Sequence, residues 1–192
     1  MLFSAGIFGS VFLVSQYLQI GMGFGPLESG LRAAPWTMVP MVVAPVAGVL
    51  VKRYGPRAVL LIGMVLQTAA VGCFVLLAHT SSGYGPYVLP MLIAGTGMGL
   101  TFSPLATAVL EGIASQDRAV VSGVNQTARQ LGTATGIALC TALFTTFGAY
   151  APGERFTAGL VPALGACTVL LVVATALVIA MPRGHLQPAG QQ

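Results

Sequence analysis

Apolar residues run almost unbroken through six stretches of this chain, at about 4 to 22, 27 to 51, 58 to 78, 87 to 111, 121 to 148 and 158 to 181, and polar residues collect in the short gaps between them. A helix that crosses a bilayer needs about 20 mostly apolar residues at 1.5 Å rise each. Each stretch meets that length. The expected fold is all-α and membrane-integral: a six-helix transmembrane bundle over residues 1–182, followed by a short tail over 183–192. A membrane β-barrel would instead show alternating segments of about ten residues.

Turn residues agree with this division. Gly25-Pro26 opens the second helix, with the proline near the first helical position, where its absent N–H matters little, and Glu28 meets the positive helix end. Gly55-Pro56 and Gly85-Pro86 divide the next pairs in the same way. Composition strengthens the reading: only 6% of the 192 residues are charged and 56% are hydrophobic, too few charges to cover a soluble domain. The N-terminus enters apolar sequence directly, without a basic leader or cleavage site, and reads as a helix entered without its natural lead-in. Cys73, Cys140 and Cys167 lie far apart in the chain, inside separate expected helices, and are read as small apolar packing residues. Neither a metal site nor a cofactor is expected.

The few charges set an orientation. Lys52, Arg53, Arg57, Arg118 and Arg183 fall in alternate gaps, whereas the opposite gaps hold only Arg32 and Arg155, each near an acidic residue (Glu28, Glu154). The positive-inside rule then puts both termini in the cytoplasm of a cell that carries the chain in its plasma membrane. The net charge of +4 follows from this asymmetry and does not suggest nucleic-acid binding.

Chemistry is carried by the polar exceptions inside the helices. The fourth helix contains Gly95, Gly97 and Gly99 and then Pro104, either a close-packing surface or a hinge beside a cavity. Gly132 and Gly136 form a second small-residue pair in the fifth helix. Asn125 and Arg129, four apart, share a face there. An intramembrane arginine is expensive enough to suggest function, here a gating contact with Glu111, with snorkelling to the headgroups as the alternative. Gln16 and Gln19 lie on one face of the first helix. With Tyr17, Phe102 and Asn125 they are candidates to line a polar spot in an apolar substrate cavity. No Asp or Glu falls near the middle of an expected helix, so a proton-carrying group at membrane depth is not evident. Nor do a nucleophile and a base share the helices, which argues against an enzyme.

These residues carry a resemblance. Gly48 to Arg57 looks like the G-x-x-x-D-R-x-G-R loop of the major facilitator superfamily. Tyr17-Leu18-Gln19, Pro26 to Leu31, Gly95 to Gly99 and Asn125 to Gly132 resemble the C-terminal half of its fourteen-helix drug:proton antiporter branch. The resemblance implies one six-helix bundle of two three-helix inverted repeats, working by alternating access against a second bundle. It further implies a gate built on Gly48, Arg53, Gly55 and Arg57, with Arg53 and Arg57 pairing to acidic groups or helix ends. Lys52 stands where the family's loop usually has Asp, so that acidic contact does not carry over. The Gly-Pro motif and coupling carboxylates of the N-terminal half have no counterpart in this chain. The expected function is the C-terminal part of a proton-coupled multidrug or small-molecule exporter, present as a fragment. Its partners would be the bilayer, an N-terminal half of six to eight helices, an amphiphilic substrate and protons. A half-size transporter that pairs with a second half-size chain, and a non-transporting scaffold or remnant, are the alternatives.

Overall fold

The computed structural model describes residues 1–80, 83–110, 113–114, 116–150 and 154–180, with backbone alone for 79–80, 106–110 and 154. Six helices account for nearly all of them. α1 (Leu2–Gln16) runs directly into a π-helical turn (Tyr17–Gly21), and α2 (Pro26–Tyr54), α3 (Pro56–Thr80), α4 (Gly85–Leu110), α5 (Arg118–Phe147) and α6 (Glu154–Ala180) follow. All six are long and apolar enough to cross a membrane.

Two features differ from the sequence reading. The widened turn at Tyr17–Gly21, in which Met22 N–H donates to the Tyr17 carbonyl at 2.9 Å, has no signature in the hydropathy pattern. A side chain on Gly21 would meet the Tyr17 ring, so the ring occupies the space that glycine leaves. The gate-like stretch Gly48 to Arg57 is also not a loop. α2 stays helical through Lys52 and Arg53 to Tyr54, and α3 begins at Pro56. Only Gly55 separates them, at φ +83°, a backbone conformation available to glycine at little penalty.

The packing pattern explains how the chain forms one body. α1 packs on α5 and α6, α4 packs on α2 and α3, and α3 meets α6. Exchanging α1, α2 and α3 for α4, α5 and α6 leaves this pattern unchanged. An odd number of spans per unit turns the second unit over, so the bundle is two inverted three-helix repeats. α2 and α5 lie across from the α3–α6 seam and are the least enclosed helices, with 11% and 22% of an apolar 18-residue stretch buried against 61% for the first span.

Close approach rests on small residues. Lipid tails are as apolar as leucine, so helices in a bilayer associate by van der Waals fit. Gly95 fits against the Trp36 carbonyl and Val39, and Gly99 against Val43, which seats α4 on α2. Gly97, on the neighbouring face, meets the Gln67 and Gly63 backbones of α3. Gly132 and Gly136 lie against the backbones of Met1 and Ala5, which seats α5 on α1. One turn further on, Gly9 faces Cys140 and Cys167, whose thiols are 3.0 Å apart and fully buried. The sequence reading kept these cysteines apart, but the α5–α6 crossing joins them.

Candidate functional site

The two ends of the bundle are built differently. At one end the starts of α1, α3 and α5 and the ends of α4 and α6 surround a cavity of about 520 Å³. Its wall includes Phe3, Leu60, Met64, Thr101, Leu105, Ala174, Leu177 and Val178, with Asn125 and Arg129 as the strongly polar members. The Arg129 guanidinium stands over the Phe102 ring, 4.6 Å from its centroid, and its Nε is buried without a hydrogen-bond partner among the described residues. Phe102 in turn packs edge-on to Phe3 at 6.0 Å. Glu111, the expected partner of Arg129, lies outside the described residues.

Lys52, Arg53, Arg57 and Arg118 also belong to this basic end. Arg57 donates from Nη2 to the carbonyls of Ile179 (2.8 Å) and Val178 (3.3 Å). These carbonyls lie in the last described turn of α6, so a guanidinium there adds a donor to them and meets the negative end of the helix dipole. Arg53 instead sits 5.4 Å from the Tyr54 ring centroid, exposed. Gly48 has open space where a side chain would go, so it makes no close helix contact.

The opposite end is filled with rings. Trp36 stacks on Phe74 (5.4 Å, 10°), Phe74 on Tyr87, Tyr87 packs on Tyr17, Tyr17 on Phe156 and Phe156 on Phe144. The Tyr17 and Tyr87 hydroxyls hydrogen-bond each other at 3.1 Å. This column crosses the bundle from α2 to α5. At its rim Arg32 lies between the Phe24 and Tyr84 rings, 3.8 and 4.7 Å from their centroids, and pairs with Glu28 at 2.7 Å. Tyr84 completes the cluster by donating to the Arg32 carbonyl. The sequence reading counted Arg32 only as a topology charge. The signal that was available, one arginine with aromatics in the gaps before α2 and before α4, needs the fold to bring those gaps together.

The five substrate-cavity candidates therefore separate. Asn125 lines the cavity at the basic end and Phe102 lies under Arg129. Tyr17 is buried in the aromatic column. Gln16 is half-buried on the α1 stripe of Phe8 and Phe12, where Phe8 packs beside Phe102, and Gln19 is exposed in the π-helical turn that follows. Of the hinge candidates, Pro104 is buried within an α4 that stays helical through it, and Gly95, Gly97, Gly99, Gly132 and Gly136 are all contact points between helices. Sequence reading passed over Gln67, which is fully buried on α3 with neither amide atom bonded among the described residues.

A six-span bundle of inverted repeats, closed by rings at one end and hollow at the other, defines a multi-pass membrane chain. The Major Facilitator Superfamily model matches residues 1–137, and the chain belongs to that family. It is 33% identical over 144 residues to a multidrug resistance protein B homolog of Mycobacterium tuberculosis (strain ATCC 25618 / H37Rv), an alignment that covers 74% of this chain and 26% of that protein. It is 30% identical over 139 residues to a tetracenomycin C resistance and export protein of Streptomyces glaucescens, covering 72% and 26%. With the multidrug efflux pump LfrA of Mycolicibacterium smegmatis it shares 27% over 157 residues, covering 82% and 31%. The aligned part thus spans between a quarter and a third of these relatives.

Proposed function

We propose that this chain forms the C-terminal six-helix half of a proton-coupled exporter of amphiphilic small molecules, and that it works by rocking against a second bundle. The observation that carries this is the open face of the bundle, where α2 and α5 remain mostly unburied. The exposed side of α6 is apolar in its inner turns (Val169, Val172, Val173, Ala176), as a lipid-facing helix should be. On α5 the exposed positions include Gln126 and Gln130, whose amides gain nothing from lipid and suit a protein or water interface. The likeness to proteins named for drug resistance and export supports the direction and substrate class.

In this reading the basic end is cytoplasmic, by the positive-inside rule. Arg57, held on the last carbonyls of α6, and Arg129, beside the cavity, serve the cytoplasmic gate with Arg53, Gly55 and Gly48. Gln16, Gln19 and Phe102 face the substrate path, and the second bundle supplies the proton-carrying carboxylate. Reconstitution tests this: the chain is co-expressed with a six- to eight-helix N-terminal half from a relative, and proton-driven efflux of an amphiphilic dye is followed in inverted vesicles. Efflux should need both parts. Robust coupled efflux by the chain alone, or a stable homodimer that transports, would overturn the reading. Arg129→Ala in the paired transporter should lower transport at unchanged membrane abundance.

A further inference from the structure

α5 and α6 form an antiparallel pair whose register is set at the aromatic end. A side chain on Gly148 would meet the Gly159 backbone, one on Gly159 would meet the Phe144 carbonyl, and the Phe144 and Phe156 rings pack edge-on at 4.8 Å. One turn back along α5 from Phe144, Cys140 falls beside α6, with its Sγ 4.0 Å from the Ala163 carbonyl. Cys167 stands one turn beyond Ala163 on α6. This register brings the two sulfurs to 3.0 Å.

α1 closes the site. A side chain on Gly9 would meet Cys140 Sγ at 2.7 Å and Cys167 Sγ at 3.1 Å, so both thiols share the notch that this glycine leaves. Both cysteines are fully buried, and Cys167 lies midway along α6, at membrane depth. Cys73, by contrast, is exposed on α3. A thiol is a weak donor and a weak acceptor, so the pair adds little to packing that smaller apolar residues would not give. Bond formation is what the contact allows, since a disulfide needs a further approach of only about 1 Å.

We propose that Cys140 and Cys167 form an oxidative modification site, a buried dithiol that a small uncharged peroxide converts to a disulfide tying α5 to α6. Hydrogen peroxide takes one thiol to a sulfenic acid and releases one water. The second thiol attacks that sulfur, the S–S bond forms, and the hydroxyl leaves with the second thiol's proton as another water. Two electrons pass from the sulfur pair to the peroxide. Hydrocarbon keeps charged oxidants and reductants away from the pair, so the site selects its reagent by size and polarity. The tie fastens α5, the least enclosed helix of its repeat, to α6. Cys73 has no part in it. The inference does not depend on what the transporter carries.

The test uses the full chain in nanodiscs with Cys73→Ser, which leaves the pair as its only thiols. After treatment with hydrogen peroxide the chain is denatured, its free thiols are counted with a maleimide polymer and its intact mass is read. Both thiols should disappear together, the mass should fall by two hydrogens, and dithiothreitol added after denaturation should restore both. The tie should raise the thermal midpoint by about 5 °C. Ferricyanide, a charged oxidant, should act at least about tenfold more slowly than peroxide, because access limits the reaction. Gly9→Ala puts a methyl between the sulfurs and should slow the peroxide reaction about tenfold. Cys140→Ser and Cys167→Ser, which leave the notch open, should each give a chain that forms no internal disulfide. Retention of both thiols at a peroxide dose that oxidises Cys73 in the parent chain overturns the proposal. So does a disulfide found only between two chains, a mass gain from added oxygen without a disulfide, or an equal rate with ferricyanide.

Discussion

The α2–α4 and α1–α5 seams occupy equivalent places in the two repeats and use the same device, paired glycines that let a helix approach its neighbour. They differ in how closely the glycine meets backbone. A side chain on Gly99 would meet Val43 Cβ first and Pro40 Cα at 3.2 Å, whereas one on Gly136 would fall directly on the Ala5 backbone. Pseudo-symmetry sets which helices meet, and local register sets how tightly.

Gly136→Leu should therefore have the largest effect of any single change, because the added side chain collides with a backbone that has no rotamer to yield. Loss of monodisperse protein in detergent sizing is expected, and recovery near the parent level would refute backbone contact at that seam. Phe144→Ala comes next. In lipid the transfer part of its burial is small, so the emptied space dominates, at ~2 to 3 kcal/mol. A thermal midpoint lowered by several degrees would show it, and an unchanged one would mean the aromatic end is not tightly packed. Gly99→Ala should cost about 1 to 3 kcal/mol, less than Gly136→Ala, because its nearest backbone atom, Pro40 Cα, is 3.2 Å from the new methyl while Gly136 lies directly on the Ala5 backbone. Equal severity of the two alanine changes would erase the distinction between the seams. Tyr17→Phe removes one hydrogen bond to Tyr87 at about 0.5 to 1.5 kcal/mol. Glu28→Gln, at an exposed pair whose arginine keeps its two rings, should stay within about 0.5 kcal/mol. Comparing those last two midpoints separates the inner rings of the aromatic end from its rim.

Much of the architecture was legible because lipid imposes length. Six runs that each span a bilayer, with basic residues in alternate gaps, permit few other folds, and Gly55-Pro56 and Gly85-Pro86 marked their divisions within a few residues. Arg129 was legible as an exception because charge inside a helix is rare. Its surroundings were not. The expected pairing with Glu111 falls outside the described residues, and the contact that the fold adds is with Phe102. Gln67 had a weaker version of the same signal, one amide in an otherwise apolar helix.

Hydropathy and turn residues were sufficient for the number of spans and their approximate ends. Those are one-dimensional properties, set by bilayer thickness and by the penalty for moving charge into hydrocarbon. Residue motifs went one step further, to the family. Which helix lies beside which, the meeting of Cys140 with Cys167, the ring column from Trp36 to Phe144 and the hollow beside Arg129 were decided only by tertiary packing. Without a hydrophobic drive between helices, partner and register depend on van der Waals fit between surfaces that are remote in sequence, and no local pattern encodes that fit.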